Sequence, residues 1–203
     1  MNKKYAIALI FALLVFGFVI NRTDQRNINP TNVLKIENEA TPGVAVNVDY
    51  PTANNLNEMK NSADYIVEGV FITLTKKWNA ARNSQDPLEE STVNHIVANA
   101  YDFKVTKVFK GEVDENIIVS LIYSRQLEGM NTPEIDAYFQ EPSPEKHVIL
   151  LLKKDELSGY YYPSIFPYQF EKTTDTTYQV KTNDPSLLEG FKSMEFESND
   201  FVN

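Results

Sequence analysis

The chain of 203 residues carries 19 basic and 28 acidic side chains, a formal net charge of −9, and is 42% hydrophobic and 23% charged. That is the composition of a globular domain with a sizeable core plus an appendage, and its acidic balance, unrelieved by any basic stripe, excludes nucleic acid as a partner. With no cysteine in the chain, disulfides, thiolate nucleophiles, Cys-type zinc sites and a lipid-bearing lipobox cysteine are excluded too.

The N-terminus, "MNKKYAIALIFALLVFGFVINRTD", sets Lys3 and Lys4 before an uncharged apolar run over residues 5–20. The run is apolar on every face and just short of a comfortable span of about 20 residues. It ends in "FGFVINR", where large side chains occupy the places a signal peptidase wants small. Residues 1–22 are therefore expected to be an uncleaved signal-anchor, with secretion after cleavage as the alternative. The two lysines keep the amino end in the cytoplasm, although Arg22 and Arg26 behind the span weaken the asymmetry. With Lys3 and Lys4 taken from the 19 basic residues, 17 remain against 28 acidic ones beyond the cytoplasmic end, a net of −11. Such a domain would not hug an anionic membrane surface.

Residues 23–61 form a polar, Asn-rich stretch broken by Pro30, Pro42 and Pro51. It is expected to be a tether with one weak strand in "GVAVNVDY" and, at its end, a short helix. Asn55 three residues before Glu58 is a capping pair, and Leu56 and Met59 would share the helix's buried face.

From Ser62 the pattern turns to strands. In "ADYIVEGVFITLTKKW" both faces of an extended chain are apolar, broken mainly by Glu68, so the strand is covered twice or bends to serve two sheets; Gly69 fits the bend. "YDFKVTKVFKGEV" alternates until Val108 and Phe109 fall adjacent, a slip of phase that predicts a β-bulge. "ENIIVSLIY", "HVILLLKK" and "GYYYPSIFPYQFEK" supply further strands, with "TTYQVKT" as a sixth. Without βαβ spacing the sheet is expected to be antiparallel. Between the third and fourth strands Thr132, Pro133 and Glu134 look like a helix start, with Ile135, Tyr138 and Phe139 on its inner face. A last helix begins at Asp184 and Pro185, its stripe of Leu187, Leu188, Phe191 and Met194 covering the open end of the barrel.

The expected fold is mainly β: a small antiparallel OB-like or NTR-like barrel with a C-terminal helix over residues 62–203, behind one transmembrane helix. The run "SADYIVEGVF", "YDFKVTKVFKGEV", "IIVSLI" and "HVILLL" resembles the netrin/TIMP-like modules of secreted bacterial proteins. The resemblance implies an OB-type barrel over residues 62–181. Inhibitory members of that group engage a catalytic zinc through a disulfide-linked N-terminal cysteine; this chain has none, so inhibition does not carry over.

No catalytic residues, metal ligands or cofactor are expected. His95 and His147 lack the spacing of a helical metal pair, and no nucleophile elbow, Walker loop, dinucleotide fingerprint or calcium loop occurs. Glu89 with Glu90, and Glu141 with Glu145, lie in polar loops as solvated charge. Two groups of residues are candidates for binding. In an up-and-down order the two long connections fall at one end and gather Trp78, Arg82, Arg125, Tyr138 and Phe139 into an amphipathic, locally positive patch. The plainer alternative is that Trp78 caps the core and the arginines pair with Asp86 or Glu128. The second group is the aromatic strand, where Pro163 and Pro167 withhold their N–H on the same side. An edge strand or seam of the barrel is expected there, exposing Tyr160, Tyr162, Pro163, Ile165 and Pro167 to a partner's strand. The plainer alternative is that its rings fill the core. Together these features describe a membrane-anchored, extracytoplasmic binding module whose partner is an envelope protein, peptide or glycan. The alternatives are an enzyme using a barrel-mouth acid such as Glu68 or Asp102, or a purely structural envelope protein.

Overall fold

A computed structural model of the chain describes residues 50–191 and 194–202. The expectations of an anchor at 1–22, of a tether over most of 23–49 and of a strand in "GVAVNVDY" up to Asp49 fall outside the described residues. Helix α1 (Leu56–Ser62) forms where the capping pair predicts it. Asn55 Oδ1 accepts from the Glu58 N–H at 3.0 Å, and the Glu58 carboxylate takes the Asn54 N–H at 2.9 Å. Met59 is fully buried and Leu56 packs against the same apolar cluster. The packed unit thus reaches back to Tyr50, into the stretch read from sequence as tether, because Tyr50 and Ala53 also find core partners.

The strands follow as β1 (Tyr65–Asn79), β2 (His95–Lys110), β3 (Asn116–Gln126), β4 (Glu134–Ile135), β5 (His147–Lys154), β6 (Tyr161–Pro163), β7 (Gln169–Lys172) and β8 (Thr177–Lys181). Helix α2 (Pro185–Phe191), strand β9 (Phe196–Glu197) and a 3-10 turn (Ser198–Phe201) complete the chain. The fold is mainly β. β1, β2, β3, β6 and β5 pair in that order, and β5 closes on β1 to make a ring. β7, β8 and β9 extend from β5 as a wing.

The bulge predicted at Val108 and Phe109 is present: Val67 faces Val108 and Ile66 faces Lys110, so Phe109 is the extra residue. It turns outward onto Phe201. Gly69 sits at the next irregularity, where β1 bends; a Cβ there would collide with the Lys104 carbonyl and come within 2.6 Å of the Phe103 ring.

Four expectations are corrected. The sheet is not wholly antiparallel. β5 crosses to pair with β1 instead of β3, so β6 returns parallel to β3 at Val119 and Tyr161. That crossing also rules out an up-and-down order. No helix follows Thr132; Glu134 and Ile135 pair with β3 as β4, and Ile135 is 67% exposed, leaving a helix nothing to bury. Asp136 instead accepts the Tyr138 N–H at 3.0 Å, a local bond that competes with helix formation. Finally, the aromatic tract is not one strand. β6 stops at Pro163 and β7 resumes at Gln169, because two prolines remove ladder donors between them.

β5 separates two apolar clusters. Val148, Leu150 and Leu152 point into the ring with Val67, Phe71 and Phe103. Ile149 and Leu151 point outward to Phe170, Tyr178 and Phe201 under the wing. β1 does the same with Val67 and Ile66, as a strand apolar on both faces should. Asp184 caps α2 through Oδ1, which accepts from Ser186 and Leu187 N–H groups at 2.7 and 3.2 Å. Leu187 packs against the ring cluster and Phe191 joins the wing cluster, while Leu188 and Met194 remain exposed.

Candidate functional site

β1 leaves the ring after Val70, its last pairing with β5. From residue 72 to 79 it pairs with β2 alone, so one edge is open among the described residues. On the outer face of this extension Lys76 faces Ala100 and Trp78 faces Ala98. The two alanines are small enough for the indole to lie across β2, which buries them to 0% and 1% exposure. Its Nε1–H reaches the Ser120 hydroxyl on β3 at 3.0 Å. Tyr160, just before β6, meets the indole edge-on with centroids 5.3 Å apart.

Two cations rest on this ring pair. Arg82 Cζ lies 4.9 Å from the Trp78 centroid; Lys76 Nζ lies 5.1 Å from Tyr160 and 5.9 Å from Trp78. Among the described residues neither makes an ion pair. Asp102 shares this face, opposite Thr73, and does not come within ion-pair distance of either.

Arg82 belongs to a loop held by Asn79. Asn79 Oδ1 accepts from Ala81 and Ile96 N–H groups at 3.1 and 2.9 Å, and its Nδ2 donates to the Ser91 and Asn94 carbonyls at 3.0 and 3.2 Å. Every hydrogen-bonding position of that amide is thereby filled. An Arg82 to Glu90 bridge pairs the loop's two arms above it. Sequence reasoning missed Asn79. Its only signal was an Asn at the end of a long strand and the start of a polar loop.

The chain matches no family model, no curated protein and no solved structure. Its own geometry carries the functional reading.

Of the five patch residues, the structure brings Trp78 and Arg82 together and separates them from Arg125, Tyr138 and Phe139. The latter three occupy the inner side of the sheet. Arg125 Nε lies 2.9 Å from Asp136 Oδ2, which also accepts from the Tyr50 hydroxyl at 2.6 Å. The guanidinium stacks 4.9 Å over the Tyr50 ring. Tyr138 packs edge-on against Tyr50, and Phe139 against Tyr123 at 5.1 Å. With its charge neutralised and its rings packed, this set plugs the ring. The two long connections do meet, since the Glu128 N–H donates to Asn94 Oδ1 at 2.9 Å.

Of the aromatic-strand residues, Tyr160 joins the Trp78 platform. Tyr162 and Pro163 lie in β6, opposite Lys153 and Leu152 of β5. Its joint with β3 is one residue pair, Val119 with Tyr161. Ile165 packs against the wing cluster and Pro167 is buried. Between them Phe166 exchanges backbone bonds with 51–53: its N–H donates to Pro51 at 2.9 Å and its carbonyl accepts from Ala53 at 2.8 Å. The chain's own segment therefore covers that edge, whereas residues 72–79 of β1 keep one edge open among the described residues.

Two further polar groups stand elsewhere. Glu68 is 8% exposed on the outer face beneath the wing, 3.6 Å from His147 Nδ1 and 3.8 Å from Lys172 Nζ, with the Tyr178 phenol beside it. Burial, with that carboxylate, pushes the Tyr178 phenol up. Inside the ring, burial raises the Tyr101 phenol to about 12, where it bridges Asn99 and Glu141. Among the described residues no cluster of acids and histidines is placed to hold a metal ion, and no helix is long and apolar enough to cross a membrane.

Proposed function

We propose that this chain is a membrane-tethered binding module facing outward from the cell, with its ligand site on the Trp78 face of β1, β2 and β3. The observation that carries the reading is the pair of unneutralised cations, Lys76 and Arg82, held on Trp78 and Tyr160. In an acidic protein such cations would ordinarily attract a carboxylate of their own. Here aromatic rings hold them in place while their N–H groups stay available. Tethering rests on the apolar run at residues 5–20 behind Lys3 and Lys4. The ring order, with β5 closing on β1 and β6 parallel to β3, supports the OB-like part of this reading, while its netrin/TIMP-like part rests on the strand patterns of residues 62–181 alone. The test is crosslinking in intact cells followed by mass spectrometry. Capture should fail with Trp78→Ala plus Arg82→Ala and survive Glu112→Ala in the turn between β2 and β3, next to the start of β1. Capture lost with Glu112→Ala and kept with the double variant would place the site elsewhere.

A second reading is favoured by Glu68, whose buried carboxylate is surrounded by His147, Lys172 and Tyr178. Such a cluster has the groups for acid–base chemistry. A hydrolase panel run on the native chain and on Glu68→Gln distinguishes it: an activity lost in the variant would make the protein an enzyme.

A further inference from the structure

We infer that the ligand of the Trp78 platform is an anionic envelope glycan, held through carboxylate or phosphate groups by Lys76 and Arg82. This rests on the binding-module reading. The indole is not free to stack on a sugar. Its N–H is spent on Ser120, it lies over Ala98 and Ala100, and Arg82 covers the ring from 4.9 Å. The rings therefore present the cations. A guanidinium held over an indole keeps the fork of N–H groups that matches carboxylate and phosphate oxygens, and Lys76 adds a second charge beside Tyr160.

The weakness of the site argues for a polymer. An exposed ion pair contributes at most about fivefold in affinity, so one anion on two surface cations would hardly be retained. Repeating anions raise the effective concentration at the site without any new contact. The net charge of −9 opposes such a chain over the protein as a whole, so its retention depends on local positive groups such as this pair.

An acidic peptide added as a strand is disfavoured by the neighbouring edge. β1 is bulged between Phe71 and Thr73 and again between Leu74 and Lys76, which breaks the donor–acceptor row that a visiting strand would need.

The test is affinity electrophoresis and fluorescence titration of the full chain in detergent micelles. Trp78 is the only tryptophan, so its emission reports the site directly. The probes are polygalacturonate, poly(glycerol phosphate), neutral dextran and polyglutamate. Retardation with an emission change is expected for the first, the second or both, and the responding arm identifies the anion. Lys76→Gln with Arg82→Gln should weaken it by about tenfold, and 0.5 M salt should abolish it. Near-ultraviolet circular dichroism checks that the variant is folded. No response to either anionic glycan, or a response that survives the double substitution, overturns the inference. A response to polyglutamate alone makes the ligand an acidic peptide. If cells still yield a partner crosslinked through the Trp78 face while both glycans fail, the glycan is wrong and the binding module stands.

Discussion

Single residues in this protein are constrained mainly by how closely backbones and charges approach. Gly69 is required because β2 passes too near for any side chain. Gly69→Ala should cost about 1–3 kcal/mol through overpacking, measured as a lower denaturant midpoint at unchanged slope. Asp136 makes the opposite case: three groups, Arg125, Tyr50 and the Tyr138 N–H, depend on one carboxylate with a 4% exposed side chain. Asp136→Ala would leave the 15% exposed Arg125 without its anion, at a cost of about 3–5 kcal/mol. Arg125→Met combined with Asp136→Leu should recover much of that loss. A double variant no more stable than Asp136→Ala would mean that the Tyr50 and backbone bonds, not the charge, hold the plug.

At the scale of elements, what was legible in the sequence is what depends on near neighbours. Alternation located β1, β2, β3 and β5, the slipped phase at Val108 and Phe109 located the bulge, and Asn55 with Glu58 located α1. What was hidden depends on partners far along the chain. Nothing near Asp136 announces Arg125 and Tyr50, so the Thr132 stretch read as a helix. Likewise nothing in β5 says that it will pair with β1. The candidate site was half visible for the same reason. Trp78 and Arg82 arose from one expectation and Tyr160 from another, and only the β6 return beside β3 joins them. The open stretch of β1 belongs to this scale too. Ile72 and Leu74 are 53% and 41% exposed there, with Lys76 and Lys77 as the charged guards of the edge. Replacing both lysines with valine should promote self-association, seen by sedimentation velocity as a concentration-dependent shift that the native chain lacks.

At the scale of the whole molecule two outcomes are expected. The mature protein should keep its first twenty residues and fractionate with membranes, since large side chains fill the cleavage positions after residue 20. N-terminal sequencing decides it; a secreted product beginning between residues 20 and 32 would defeat the anchor. The second outcome is loss of stability in strong alkali. Burial raises Tyr101 and Tyr162 from the ordinary 10.0 to about 12, and it raises Tyr168 as well. The folded chain then holds these protons more tightly than the unfolded one. The stability they contribute is complete below about pH 10 and disappears as pH rises through about 12. Phenolate absorbance should therefore rise in two stages, the later one coinciding with loss of near-ultraviolet circular dichroism.

β5 also decides how the molecule comes apart. One face of this strand lines the ring and the other lies under the wing, and both its edges are paired. Neither half can lose its packing while the strand stays in place, so ring and wing should melt in a single transition with equal calorimetric and van't Hoff enthalpies. In deuterium exchange, the amides of Val148 to Leu152 should open only with global unfolding, while those on the free edge of β1 exchange through local fraying.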